Sequence, residues 1–311
     1  MTLAVKRKEG VVPAVRRRRH SGRRNQALWT AVFLAPALLA LLVLRIIPTL
    51  QALISSLYKA FPGGLIAPTF TGFGNYGSLF GDPNFTATIV RTLVFNLIIN
   101  PLQILIALAI AVLMIQRIPL VGLWRTLIFI PVTVPVVGSS IAWGAALNPQ
   151  GPVNALLATI GGQPQPFFTS PGQALACIIV VASWIGIGYW MLFLIAGLQS
   201  IPEELYEAAK LDRAGPIRTF VRITLPLLRR QLLFVLVADT VANFVLFAPV
   251  QLLTGGGPQN STTLLMFDAY RTTFGYGSRN IGAAEVMILT IIMLIIVTVQ
   301  FRLLRDEGET E

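Results

Sequence analysis

Residues 199–226 read QSIPEELYEAAKLDRAGPIRTFVRITLP. Ser200 is a suitable helix N-cap, Pro202 suits a first helical turn, and Glu203 and Glu204 follow where the positive end of the helix dipole favours acid. Leu205, Ala208, Ala209 and Asp212 recur at helical spacing, with Lys210 near the C-terminal end. Gly215-Pro216 breaks this helix and starts another, which carries Ile217, Phe220 and Val221 on one side. The stretch therefore reads as two short helices. That is more order than a passive connector needs, so it reads as a docking surface. The plainer alternative is an amphipathic segment lying at an interface.

The flanks of this stretch are apolar. Of the 311 residues 55% are hydrophobic and only 12% charged, with mean hydropathy +0.73. A water-soluble domain carries about 25% charged residues, so this chain reads as an integral membrane protein. Crossing the hydrocarbon takes about 20 apolar helical residues. Six runs qualify: 27–47, 88–115, 123–147, 175–198, 225–247 and 281–304. The first is expected to stop near Pro48, with 50–58 either extending it or lying along the surface. The third carries Pro131 and Pro135, which neighbouring helices can accommodate. The segments 148–152, 161–172 and 255–263 are rich in Gly, Pro, Asn and Thr and read as turns.

Lys and Arg set the orientation. Residues 1–26 hold nine, the 199–230 stretch holds six, and 148–174 holds none. Lys59 stands alone after the first span, Arg117 follows the second, Arg271 and Arg279 follow the fifth, and Arg302 and Arg305 follow the sixth. This fits an even number of spans, with both termini cytoplasmic, in a plasma membrane. The organisation expected is a basic tail (1–26), a transmembrane domain (27–305) and a short tail (306–311). The net charge of +11 then reflects topology and attraction to anionic lipid rather than nucleic acid. The first apolar run is too long for the core of a cleavable signal peptide.

Scarce residues narrow the chemistry. Cys177 and His20 are the only residues of their types, and no G-x-x-x-x-G-K-[ST] occurs. An internal disulfide, a Cys/His metal site, a His-dependent triad and P-loop ATP binding all lack their parts. No cofactor is expected in this chain, so energy must come from a partner or an ion gradient.

Polar residues inside spans are costly. They are Arg91, Asn96, Asn100, Gln103, Ser183, Tyr189, Asp239, Asn243 and Glu285. A sugar has an apolar face and a hydroxyl rim, so aromatic rings beside amides suit it. Trp184, Tyr189 and Trp190 fit, as do Asp239, Asn243 and Phe247, whose i, i+4, i+8 spacing shares one helical face. The same residues also read as packing or as hydrogen-bond fixtures between helices.

Glu207-Ala208-Ala209, then Ala214-Gly215, then Ile223-x-Leu225-Pro226, resembles the EAA loop of ABC-importer membrane subunits. The wider sequence resembles the carbohydrate-uptake class, the maltose and glycerol-phosphate importer permeases. Residues 197–206, the 253–258 segment followed by Ser261-Thr262, and Gly282–Glu285 agree with it. The resemblance implies an all-α, type I importer permease. It implies a coupling-helix pair seated in an ATPase cleft, with Glu207 facing the ATPase and Ala208 and Ala209 allowing close approach. Asp212 and Gly215 belong to the same loop. It implies a second permease, expected to be different, and two ATPase subunits that use ATP and Mg. It further implies an external binding protein docking on loops that include 254–262, and a carbohydrate substrate. Gly186, Tyr189 and Asn243 match sugar-contacting positions of the maltose permease in residue type, whereas Ala242 and Leu246 do not. The family usually has Gly where this chain has Arg213, so either Gly215 takes over the turn or Arg213 is helical. Two other readings remain. One is a glycerol-phosphate or glycerophosphodiester permease, for which Arg91 is the one mid-span cation on offer. The other is an ion-coupled carrier using Asp239 and Glu285.

Overall fold

The computed structural model describes residues 21–59, 67–116 and 118–304. The basic residues of 1–20, Arg117, Arg305 and the tail 306–311 lie outside them. Among the described residues, five helices are long and apolar enough to cross a membrane, or six if one bent pair of helices is counted as a single span.

The chain forms two units, divided after Gln51. The first contains α1 (Ser21–Leu41), a π turn at Leu42–Ile46 and the start of α2 (Ile47–Ser56). Pro48 does not end this helix. The π turn closes with Ile47 N–H on the Leu42 carbonyl. Pro48 follows at the second residue of the next segment, where its missing N–H is least costly. Residues 50–56 therefore extend the helix.

In the second unit, β1 (Tyr58–Lys59) pairs antiparallel with β2 (Thr69–Phe70), and α3 (Gly74–Phe80) follows. α4 (Pro83–Met114) starts five residues before the apolar run because Asp82 caps it, accepting from Asn84 N at 2.9 Å, and Pro83 holds N1. At 32 residues, or about 48 Å, it exceeds the hydrocarbon thickness.

The 123–147 run is not one straight span. It forms α5 (Val121–Thr133) and α6 (Val136–Ala146), which meet at 98°. Pro135 has no N–H and pushes Val134 into extended backbone (φ −82°, ψ 128°), so the ladder ends there. The segment 148–174 is more than turns, for it carries α7 (Pro152–Thr159). Buried Asn154 pins it by donating to the Pro149 and Gln165 carbonyls at 3.0 and 2.8 Å and accepting from Gln165 N at 2.8 Å.

α8 (Ala174–Gln199) is the hub, packing against α4, α5 and α12 (Arg229–Phe244). Two glycines permit this. A Cβ at Gly188 would collide with the Ile128 carbonyl of α5, and one at Gly186 would lie 2.8 Å from the Gln103 amide of α4. Small residues at such crossings let helix backbones approach where lipid supplies no hydrophobic drive. One core cluster there joins Ile104, Leu108, Trp190, Leu194, Leu228 and Val235. α9 (Glu203–Leu211), α10 (Pro216–Thr219), a π turn at Phe220–Thr224 and α11 (Leu225–Leu227) lead from α8 to α12. α13 (Ala248–Leu253), α14 (Leu265–Tyr270) and α15 (Arg279–Leu304) complete the chain.

Candidate functional site

The loop between α8 and α12 does fold as a helix pair. Its entry differs from the sequence expectation: Pro202 is the N-cap of α9, and Ser200 instead turns back to donate to the Gly197 carbonyl at 2.7 Å. The exit differs too. Arg213 itself takes the left-handed position (φ +52°), while Gly215 is extended (φ −68°, ψ 162°) and caps α10. Arg213 N–H reaches the Lys210 carbonyl at 3.0 Å and Ala214 N–H the Ala209 carbonyl at 2.9 Å. These two bonds are the pair that closes a helix through a left-handed residue. Neither expected solution of the missing glycine is used. Arg213→Gly is accordingly expected to stabilise the chain by about 0.5–1 kcal/mol by removing Cβ strain. A thermal melt of the purified protein should move up, and a fall would show that Arg213 holds the turn by other means.

Tyr206 Oη and Thr224 Oγ1 lie 3.2 Å apart and tie the two arms together, and Tyr206 and Phe220 pack onto the core. The opposite face is bare. Glu207, Ala208, Asp212 and Gly215 are exposed. Ala209 is 6% exposed and turns into the chain's own interior, so the two alanines face opposite ways. Leu211, one helical turn beyond Glu207, is 85% exposed, and Ile217 on α10 is 80% exposed. Leu211 was not singled out from the sequence. The signal for it is a large apolar residue at the polar end of a charged helix.

A second cluster lies between α4, α8 and α12. Asp239 is 1% exposed. Trp190 Nε1 donates to its Oδ1 at 2.6 Å and Asn243 Nδ2 at 3.1 Å. With the Gln103 amide oriented so that both its atoms find partners, its nitrogen donates to the same oxygen at 2.6 Å and its oxygen accepts from Ser183 N and Oγ at 3.3 Å. Asn243 also donates to Asn100 Oδ1 at 2.8 Å. Asn100 and Gln300 in turn reach Thr240 Oγ1 at 3.1 and 2.8 Å. This network joins all four long helices of the second unit. Three neutral donors answer the carboxylate, which is what a buried charge requires.

The structure thus brings Trp190, Asp239 and Asn243 together but buries them. Gly186 lies beside them, against Gln103. Phe247 leaves the shared face expected for it. α12 ends at Phe244, and Phe247 instead packs against Tyr270 at 4.6 Å and Phe267 at 6.4 Å between ring centroids. Tyr189 is 42% exposed and forms an aromatic edge with Phe193, which continues to Phe234. Trp184 pairs edge-on with Trp143. Arg91 and Glu285 lie apart from the network, near the starts of α4 and α15. There Arg91 donates to the Thr263 carbonyl at 3.1 Å, and Thr272 donates to Glu285 at 3.0 Å.

The molecule is thus a bundle of apolar helices with an internal polar network and a structured helix pair between two of its spans. The chain belongs to the family described as "Binding-protein-dependent transport system inner membrane component", which matches residues 103–306. It is therefore a multi-pass inner-membrane permease component of an ABC importer. It is 33% identical to the lactose transport system permease protein LacF of Rhizobium radiobacter, over 88% of this chain and 93% of that one. It is also 33% identical to the sn-glycerol-3-phosphate transport system permease protein UgpA of Pectobacterium atrosepticum, over 87% and 92%. A solved bacterial alginate ABC transporter, in complex with an alginate pentasaccharide-bound periplasmic protein, contains a chain with the same fold. It superposes with TM-score 0.79 at 21% identity, over 91% of this chain and 95% of that one.

Proposed function

We propose that this chain is one of two permease subunits of an ATP-driven importer and forms half of the path for a neutral carbohydrate. An external binding protein delivers the substrate. Two ATPase subunits, which use ATP and Mg, dock on the α9–α10 loop, which lies on the cytoplasmic side together with both termini. The observation that carries this reading is the bare face of Glu207, Ala208, Leu211 and Ile217 on an otherwise well-anchored helix pair. Exposed apolar residues of that size beside a charge mark an interface. The likeness to a lactose permease supports a sugar as cargo.

Within the path, Tyr189 presents an exposed ring to the substrate. Trp190, Asp239 and Asn243 form the wall behind it, with Gly186 beneath. Asp239 already holds three hydrogen-bond donors, which argues against its use as a coupling-ion site. The glycerol-3-phosphate permease is equally similar. A phosphate needs a cation in the path, however, and Arg91 is engaged with a backbone carbonyl at the far end from the docking loop.

The test is uptake by proteoliposomes holding the complete importer with its binding protein, offered radiolabelled lactose or glycerol 3-phosphate. ATP-dependent sugar uptake that survives an uncoupler is expected. Uptake of glycerol 3-phosphate alone would move the cargo to the phosphorylated polyols. Uptake driven by an ion gradient without ATP would overturn the importer reading.

A further inference from the structure

Gly197 lets α8 and the start of α12 close on each other beside the α9–α10 loop. A Cβ there would lie 2.6 Å from the Gln231 side chain and 2.8 Å from that of Leu228. Four residues earlier on α8, Phe193 meets Phe234 of α12, with ring centroids 5.6 Å apart. Phe193, Arg230, Gln231 and Phe234 line a cavity of about 260 Å³. The two rings continue a row that starts at Tyr189, 5.1 Å from Phe193. Along α8, Phe193 is four residues, about 6 Å, nearer the loop than Tyr189.

The chemistry of this row differs from that of an ordinary lipid face. The exposed row of α4, Val90, Val94, Leu97 and Leu105, is aliphatic, which matches lipid tails. Here Tyr189, Phe193 and Phe234 are 42%, 38% and 54% exposed, and the row ends on exposed Arg230, one helical turn from Phe234. Among the described residues no carboxylate pairs with Arg230. Open rings that end on an open guanidinium suit a sugar, whose apolar face lies on aromatic carbon and whose hydroxyl oxygens accept from N–H. The row also runs beside the polar network. Trp190, which donates to Asp239, lies 4.7 Å from Tyr189 and 6.1 Å from Phe193 between ring centroids.

We infer that this cavity is a second saccharide site, through which the sugar leaves toward the α9–α10 side. One sugar ring lies against Phe193 and Phe234 while Arg230 donates to its hydroxyl oxygens. The inference rests on the reading of Tyr189 as part of a sugar path and extends that path by one step. The sugar passes from one ring to the next, so each contact is replaced as it is lost. The site acts after the sugar has entered the permease, and it therefore governs the rate of passage rather than the capture of the loaded binding protein.

The test has two arms, both with the complete importer and its binding protein. In the first, Phe193→Cys is introduced on a Cys177→Ala background in nanodiscs, and its labelling by a charged, water-soluble maleimide is followed during ATP turnover. Labelling is expected, and saturating lactose should slow it about threefold or more, whereas Leu97→Cys on α4 should stay unlabelled. In the second, Phe234→Leu and Phe234→Tyr are compared by ATP-dependent lactose uptake into proteoliposomes, with Cys177 retained. Phe234→Leu should lower the maximal rate about three- to tenfold at an unchanged half-saturating binding-protein concentration, and Phe234→Tyr should restore it. A Phe193→Cys variant that resists the maleimide faces lipid or another subunit, which overturns the inference. So does labelling that lactose leaves unchanged, or equal loss of uptake with leucine and tyrosine, which makes Phe234 a packing group. A wild-type importer that takes up no lactose with ATP overturns the reading of the cargo, and this site with it, whatever the labelling shows.

Discussion

Glu207→Ala is expected to strip the ATPase subunits from the purified permease while leaving the permease folded. The two halves of that expectation have separate physical grounds. Glu207 is exposed on α9, and surface substitutions of this kind shift stability by about 0.5 kcal/mol or less. The arms of the loop are held from the other side, by Ala209, Tyr206 and Thr224, so the helix pair keeps its shape. Truncating one charge of a pair buried in an interface, by contrast, costs about 2–5 kcal/mol, or roughly 30-fold to over 1,000-fold in affinity. Affinity purification of tagged wild type should bring down the ATPase and a second permease, and the variant should bring down the second permease without the ATPase. Glu204→Ala, in the first turn of the same helix, is the control and should retain it. If the wild type emerges alone, or the variant keeps a full complement of ATPase, the loop is not the dock.

Asp239→Ala should have the largest effect on the fold. It removes the acceptor shared by Trp190 Nε1, Asn243 Nδ2 and the Gln103 amide, three buried donors on three helices. Each unsatisfied buried donor costs about 1–3 kcal/mol, moderated where a neighbour re-pairs. Hydrogen bonds within membrane bundles are individually worth less than this, because the reference state also finds partners. A total loss of about 2–4 kcal/mol follows. Asp239→Asn keeps one acceptor oxygen and should fall between the two. The measurement is the thermal unfolding midpoint in detergent, alongside transport by whatever remains folded. A variant that melts like wild type yet fails to transport would turn Asp239 from a wall residue into a substrate contact.

The contrast between these residues shows what a sequence can carry. The helix pair was legible because dipole-compatible charges and glycine-proline punctuation are local, although the cap expected at Ser200 is not used. Arg213 was misjudged because the left-handed position depends on where α9 ends, and that is settled by the closure between Ala214 and Ala209 rather than by residue preference. The break at Val134-Pro135 was marked by its proline, but nothing local distinguishes a tolerated kink from a 98° turn. Phe247 was assigned to the face of Asp239 and Asn243 by helical period alone, and the period failed because α12 stops three residues earlier. α7 was missed because its tether, Asn154 to Gln165, spans 11 residues.

By itself, then, the sequence determined the membrane-embedded class, the positions of the apolar runs and the helix pair between α8 and α12. These follow from composition, hydropathy and short-range signals, which act over a few residues. Only the tertiary structure decided which polar residues meet, which of them are buried and which stay open. Asn100, Gln103, Trp190, Asp239 and Asn243 come from three helices, and their pairing depends on how closely Gly186 and Gly188 let α8 approach its neighbours. Thr272 and Glu285, 13 residues apart, meet at 3.0 Å, a contact that no short-range spacing in the chain records.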